Sequence, residues 1–215
     1  MAGLFAPGAN ALYRVFLIAL ITLLLTLALG GMAYVRSPWH TGEGRFVEQV
    51  VPFSHAHHVG QLKIDCRYCH ESVEESSFAG IPATEICMSC HSRVWTNAEM
   101  LEPVRSSMRT GRPLRWNKVY VTPDYVYFDH GIHVAKGIGC ETCHGRIDRQ
   151  PLTAMAVSLR MSWCVDCHRH PERHVRPRSK VFQMGYRRGD NDESGEALIA
   201  RYGIQTSTDC YTCHR

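Results

Sequence analysis

The sequence predicts a mainly α and irregular fold with a small β-hairpin and one N-terminal transmembrane helix. Three observations predict it. The pattern C-x-x-C-H occurs five times and uses all ten cysteines of the chain. An uncharged run of membrane-spanning length lies near the N-terminus. The residues that remain are too few, for five such motifs, to build a large aliphatic core around each.

The five motifs are Cys66-Arg67-Tyr68-Cys69-His70, Cys87-Met88-Ser89-Cys90-His91, Cys140-Glu141-Thr142-Cys143-His144, Cys164-Val165-Asp166-Cys167-His168 and Cys210-Tyr211-Thr212-Cys213-His214. C-x-x-C-H is the attachment pattern of a c-type haem. Two thiols add to the two vinyl groups on one porphyrin edge, and the following histidine reaches the iron. Paired C-x-x-C units also make zinc sites. Zinc explains the cysteine pairs but not a histidine after each. With 13 histidines in 215 residues, five such neighbours by chance have a probability on the order of one in a million. A disulfide framework fails on the same ground. The expectation is five covalently bound haems c. Cys66, Cys69, Cys87, Cys90, Cys140, Cys143, Cys164, Cys167, Cys210 and Cys213 would hold them, with His70, His91, His144, His168 and His214 as proximal iron ligands.

Outside the membrane run, about 36 residues serve each haem, far below an ordinary domain's allotment. The porphyrins must then be the core, wrapped by short helices and loops, and the chain should not fold without them. The formal charge of +4 misleads, because each haem adds two propionates. The loaded protein would be near neutral when oxidised and roughly −6 when reduced. Charge gives no support to nucleic-acid binding, and no nucleic-acid motif is present.

Along the chain, residues 1–14 carry one charged side chain, Arg14, and are expected to be cytoplasmic. Residues 15–35 are uncharged and end at Arg36; as a helix they span about 31 Å, enough for a bilayer core. A cleaved signal peptide would have an apolar region of only about 7–15 residues, so an uncleaved signal anchor is expected. Arg14 is a weak positive-inside signal. Covalent haem attachment takes place outside the bacterial cytoplasmic membrane, which would put residues 36–215 on the periplasmic side.

An internal repeat follows. Phe53-Ser54-His55-Ala56-His57-His58 precedes the first motif, and Phe128-Asp129-His130-Gly131-Ile132-His133 precedes the third. Each F-x-H-x-x-H leads into two haem motifs, giving repeat one at about 50–92 and repeat two at about 125–170, with a fifth haem unit at about 190–215. Two histidines three apart on one helical turn can serve two neighbouring irons. His55, His58, His130 and His133 are the expected distal ligands, their pairing not legible. The fifth distal ligand is open among Met161, Met155, His174 and His57, with His40 and His170 also spare. Met161 is the leading candidate; a thioether raises a haem's potential, although an isolated methionine more often packs on a porphyrin face.

Between the repeats, Asn97 is placed to cap a short helix from Ala98, limited or kinked by Pro103. Residues 119–121 and 125–128 around Thr122-Pro123-Asp124 read as the hairpin. Arg105, Arg109, Arg112, Arg115 and Lys118 form one basic run. Arg169, Arg173, Arg176, Arg178 and Lys180 form a second, opposed only by Glu172. Either run is a solvated face, a set of propionate partners or a docking patch. Residues 190–196 are acidic and lead into a helix stopped by Gly203.

With these residues laid out, the chain resembles the pentahaem, membrane-anchored cytochrome c subunit of alternative complex III, a bacterial quinol-oxidising module. The resemblance rests on Phe53-Ser54-His55, on Ala79-Gly80-Ile81-Pro82 leading to the second motif, and on Pro113-Leu114-Arg115-Trp116 with Tyr127-Phe128-Asp129-His130. It rests also on Met161-Ser162-Trp163-Cys164 and Ser207-Thr208-Asp209-Cys210. It implies a multihaem cytochrome c fold packed around five haems, and an electron-transfer subunit with no catalytic residues of its own. The implied partners are a large iron–sulfur subunit, polysulfide-reductase-like integral membrane subunits, a monohaem cytochrome c subunit and a soluble carrier or terminal oxidase. It implies a single-pass protein of the bacterial cytoplasmic membrane. His170 and His174 enrich the stretch after the fourth motif beyond the family pattern.

Three rival readings stay in view. A membrane-anchored multihaem quinol dehydrogenase feeding a periplasmic reductase typically carries a methionine two residues after a haem histidine; Glu71-Ser72-Val73 follow the first motif here. A catalytic multihaem reductase needs an open iron, often with lysine in place of the motif histidine. An assembly scaffold would show potentials outside the quinol-to-carrier range.

Overall fold

The computed structural model describes residues 8–214. The chain divides after Glu43 into two compact units.

The first unit is dominated by helix α1, Ala9–Arg36, 28 residues with no buried side chain. Leucine, isoleucine and alanine fill it, no charge falls between Arg14 and Arg36, and at 1.5 Å per residue it is about 42 Å long. By length and composition it can cross a membrane, as an anchor or as a signal sequence. It begins earlier than the expected span at Val15, because the Ala-Asn-Ala-Leu-Tyr stretch continues the helix; residues 1–7 of the expected cytoplasmic segment lie outside the described residues. Ser37 closes α1, its hydroxyl donating to the Tyr34 carbonyl at 2.7 Å. A short helix α2, Pro38–Thr41, follows, with proline in its first turn and Gly42 as a left-handed stop.

The second unit consists of short helices joined by long irregular stretches. Five helices carry the C-x-x-C-H motifs or parts of them: α3 (Cys66–Cys69), α4 (Thr84–His91), α7 (Cys140–His144), α8 (Met161–Arg169) and, at the C-terminal end, α10 (Cys210–Cys213). Helix α5 is Glu102–Thr110, α6 is His130–Ala135 and α9 is Gly195–Tyr202. The α9 boundaries follow from the sequence: Ser194 accepts from the Ala197 amide at 3.2 Å, and Gly203 takes φ 55° at the C-cap.

Among the described residues β-structure is confined to isolated antiparallel bridges, Phe46 with Ala154, Val126 with His214 and Ile138 with Val175. The expected hairpin of residues 119–121 and 125–128 does not form. Val126 pairs instead with the C-terminal motif, and the Tyr127 amide donates to the Cys213 carbonyl at 2.8 Å, so this edge is taken by a segment about 87 residues away in sequence. The region near Asn97 also differs. A 3₁₀ turn, Glu99–Leu101, precedes α5, and Pro103 sits in the first turn of α5, where its missing N–H costs nothing. It starts the helix and does not kink it.

The aliphatic core is thin. Val51, Leu101 and Val104 form one buried cluster, edged by Leu114 and Trp116. Val175, Val181 and Leu198 are fully buried. No described residue of α3, α4, α7, α8 or α10 is fully buried, although these short helices could not persist alone.

Candidate haem-binding site

Each motif helix puts its two cysteines one turn apart on one face, with the motif histidine at the helix C-terminal end. Asp65 caps α3 by accepting from the Arg67 amide at 2.9 Å. The repeated F-x-H-x-x-H segments present the other histidines. In the second repeat they lie on α6, capped by Asp129, which accepts from the Ile132 amide at 3.0 Å. In the first they lie at the start of a π-helical segment, Ala56–Gln61, with His55 at its N-cap.

These histidines face the motif histidines across gaps of one size. Ring centres are 6.2 Å apart for His58 and His91, 6.5 Å for His130 and His144, and 6.3 Å for His133 and His168. A ligating imidazole nitrogen stands about 2.0–2.1 Å from a metal and roughly 1.1 Å from its own ring centre, so two rings on opposite sides of one ion have centres roughly 6.3 Å apart. For His55, burial and then the His70 imidazole hold the ring down to about 4.

The donor chemistry agrees with the distances. Nδ1 of the ring faces a backbone carbonyl in His58 (Ser54, 2.9 Å), His70 (Gly80, 2.7 Å), His91 (Val94, 3.1 Å), His130 (Ser77, 2.8 Å), His133 (Asp129, 2.6 Å) and His168 (Ser207, 2.9 Å). A carbonyl only accepts, so Nδ1 carries the proton and Nε2 keeps its lone pair for a metal. Burial, ahead of the neighbouring imidazoles, lowers His144 to about 4 and depresses His133 and His58. Each of these three shifts favours the neutral imidazole, the form that ligates. The residues fit a porphyrin iron. A zinc site is not built: among the described residues no three His, Cys, Asp or Glu side chains converge on one point. Burial also pushes Cys143 up to about 12 and Cys167 up to about 11.

Two phenylalanines complete the repeat. Phe53 stacks on His58 at 4.4 Å and meets His55 edge-on at 4.9 Å. Phe128 stacks on His133 at 4.6 Å and meets His130 edge-on at 4.8 Å. One ring thus fixes two imidazoles at right angles to each other. The phenylalanine of F-x-H-x-x-H was visible in the repeat; its role was not. Tyr120 has no such signal. It packs edge-on against His144 at 4.5 Å, and its hydroxyl accepts from the Ala156 amide at 2.7 Å and donates toward the Cys143 carbonyl at 3.2 Å.

The remaining candidates separate. His57 stacks on Trp95 with ring centres 5.9 Å apart, and its Nδ1 faces Gln61 at 2.9 Å; it opposes no motif histidine. His170 approaches Glu172 at 3.6 Å. His174 is half-buried and lowered by that burial. His214 has Tyr125 as its ring neighbour at 5.7 Å. Met161 opens α8 one turn before Cys164 and is 67% exposed. Cys164 lies in the field of Cys213, so this face of α8 is turned toward the fifth motif. The basic runs are only partly solvated. Glu102 binds Arg105 at 2.8 Å and Arg109 at 2.7 Å, and Arg176 pairs with Glu141 at 3.0 Å.

Residues 126–215 match the family of cytochrome c7 and related cytochrome c. Over that stretch the chain is similar to multihaem cytochromes c. Over 104 residues it is 36% identical to the menaquinone reductase multihaem cytochrome c subunit of Nitratidesulfovibrio vulgaris, which is 48% of this chain and 49% of that protein. The chain spans about half the length of the curated relative it matches.

Proposed function

We propose that the cytochrome binds five haems c, one per C-x-x-C-H motif, and serves as the electron-transfer subunit of a membrane-bound quinol-oxidising complex of the alternative complex III kind. The observation that carries the reading is the set of imidazole pairs with centres 6.2–6.5 Å apart. On this reading His70, His91, His144 and His168 are proximal ligands, opposed by His55, His58, His130 and His133 in that order of pairing: His55 with His70, His58 with His91, His130 with His144, His133 with His168. Met161 completes the haem of His214. Bound haem supplies one-electron chemistry, and the polypeptide sets each potential through axial ligand, burial and nearby charge.

The thiol neighbourhoods support a spatial order. Cys69 lies in the field of Cys87 and Cys90, Cys66 contacts Cys140, Cys143 lies near Cys167 and Cys164, and Cys164 near Cys213. The haems would run second, first, third, fourth, fifth. The ends of the chain of haems are then the second and fifth motifs, which are the ports for donor and acceptor. The large iron–sulfur subunit, the polysulfide-reductase-like membrane subunits and a monohaem cytochrome c or soluble carrier are the partners this reading requires. The haem domain lies on the periplasmic side of the bacterial cytoplasmic membrane, with α1 as its anchor.

A second reading has one specific support. The matched relative is a subunit of a menaquinone reductase, and the same wire can run electrons toward a quinone. Purification in mild detergent, with mass spectrometry of the co-migrating chains, tests the partners; quinol-to-cytochrome c and reduced-cytochrome-to-menaquinone assays test the direction. Turnover in the first assay with an iron–sulfur subunit present is the expected result. Turnover in the second alone establishes the reductase direction. Quinol oxidation by the isolated chain would replace both with a quinol dehydrogenase.

A further inference from the structure

The wiring proposed above makes no use of one feature, the buried ion pair between Arg176 and Glu141 beside the third motif. Glu141 follows Cys140 in the motif. Its carboxylate accepts from Arg176 Nη2 at 3.0 Å, with side-chain exposures of 8% and 13%, and from the Gly185 amide at 2.6 Å. Among the described residues the other ion pairs each have a partner more than a third exposed. Arg176 Nη1 also donates to the carbonyls of Lys180 at 3.4 Å and Gln183 at 3.2 Å, and its guanidinium lies over the Tyr186 ring at 4.9 Å. Gly139, just before Cys140, admits it: a Cβ there would stand 2.2 Å from Arg176 Cζ.

We propose that Arg176 and Glu141 form a charge-balanced pair that positions the third attachment helix and holds the midpoint potential of its haem, the middle one in the order above. The proposal rests on the haem reading of the preceding section. Two charges this deep are poorly screened, so either one left alone acts strongly on its surroundings. Ferrous iron carries one positive charge fewer than ferric. An unbalanced guanidinium therefore favours reduction and raises the potential; an unbalanced carboxylate lowers it. A pair that only clamps the helix produces no such opposition of sign.

The test is a potentiometric titration of detergent-purified holoprotein, followed optically and by electron paramagnetic resonance. Glu141→Gln keeps the shape and the acceptor oxygen, so Arg176 retains its neighbours. One of five potentials is expected to rise in Glu141→Gln, to fall in Arg176→Gln, and to return toward its starting value in the double variant and in Arg176→Lys. Five haems retained with no potential raised in Glu141→Gln would overturn the proposal, whatever the arginine variants do. Single shifts of the same sign would also overturn it and leave a structural clamp. Fewer than five haems in the unaltered chain would instead count against the haem reading beneath it, a result that intact mass separates from the first two.

Discussion

His133 shows most plainly what single residues do in this molecule. Its Nδ1 is tied to the Asp129 carbonyl at 2.6 Å, Phe128 stacks on its face, and its ring stands 6.3 Å from that of His168. Each contact removes one freedom, until Nε2 has one direction left. Replacing His133 with alanine is expected to convert one haem of five to a high-spin form that binds carbon monoxide, seen by electron paramagnetic resonance and in the difference spectrum. Phe128→Ala keeps both ligands and removes the ring that holds them square to each other, so it should broaden two low-spin signals without opening an iron. Met161 makes the opposite prediction to an imidazole. A thioether raises a haem's potential, so Met161→His should lower the highest of the five potentials and leave four unchanged. If the highest is unmoved, Met161 is not a ligand, and Met155 is the next variant to titrate.

At the scale of elements, the two distal segments perform the same task with different windings. From His58 to Cys66 the chain advances eight residues; from His133 to Cys140 it advances seven. The first repeat takes up its extra residue as a π-helical turn, Ala56–Gln61, a form that commonly absorbs one added residue inside a helix near functional sites. Gly60 makes the turn possible. It lies against the 3₁₀ turn Ile147–Arg149, and a Cβ there would stand 2.2 Å from the Asp148 carbonyl oxygen. That neighbour is backbone and cannot rotate away. Gly60→Ala should cost about 1–3 kcal/mol by overpacking, read as a Tm lower by roughly 2–4 °C per kcal/mol, with the potentials at the first two motifs disturbed and those at the fourth and fifth unchanged.

At the scale of the whole molecule, the apolar helix α1 and the Gly203 stop were legible because each is a local pattern with its own physical cause. The pairing of histidines was not. In the proposed pairing the first histidine of each F-x-H-x-x-H meets the first motif of its repeat and the second meets the second. That pairing depends on how α6 and the π-helical turn are packed against α3, α4, α7 and α8, and nothing local in sequence carries that. The hairpin reading failed for the same reason. Residues 125–128 have strand character, and the C-terminal motif, remote in sequence, took their edge. The thin aliphatic core around Val51, Leu101 and Val104 belongs to this scale too. It is too small to hold residues 44–214 folded alone, so removing the haem-attachment machinery during expression should yield a chain without cooperative unfolding by circular dichroism.

Opposed imidazoles sharing one iron each are tested most directly by near-infrared magnetic circular dichroism of the oxidised holoprotein, since the charge-transfer band reports each haem's axial pair. The expected spectrum is four parts bis-histidine to one part histidine–methionine, with no high-spin component. A substantial high-spin fraction, or bis-histidine intensity for fewer than four haems per chain, would contradict the pairing and with it the wire.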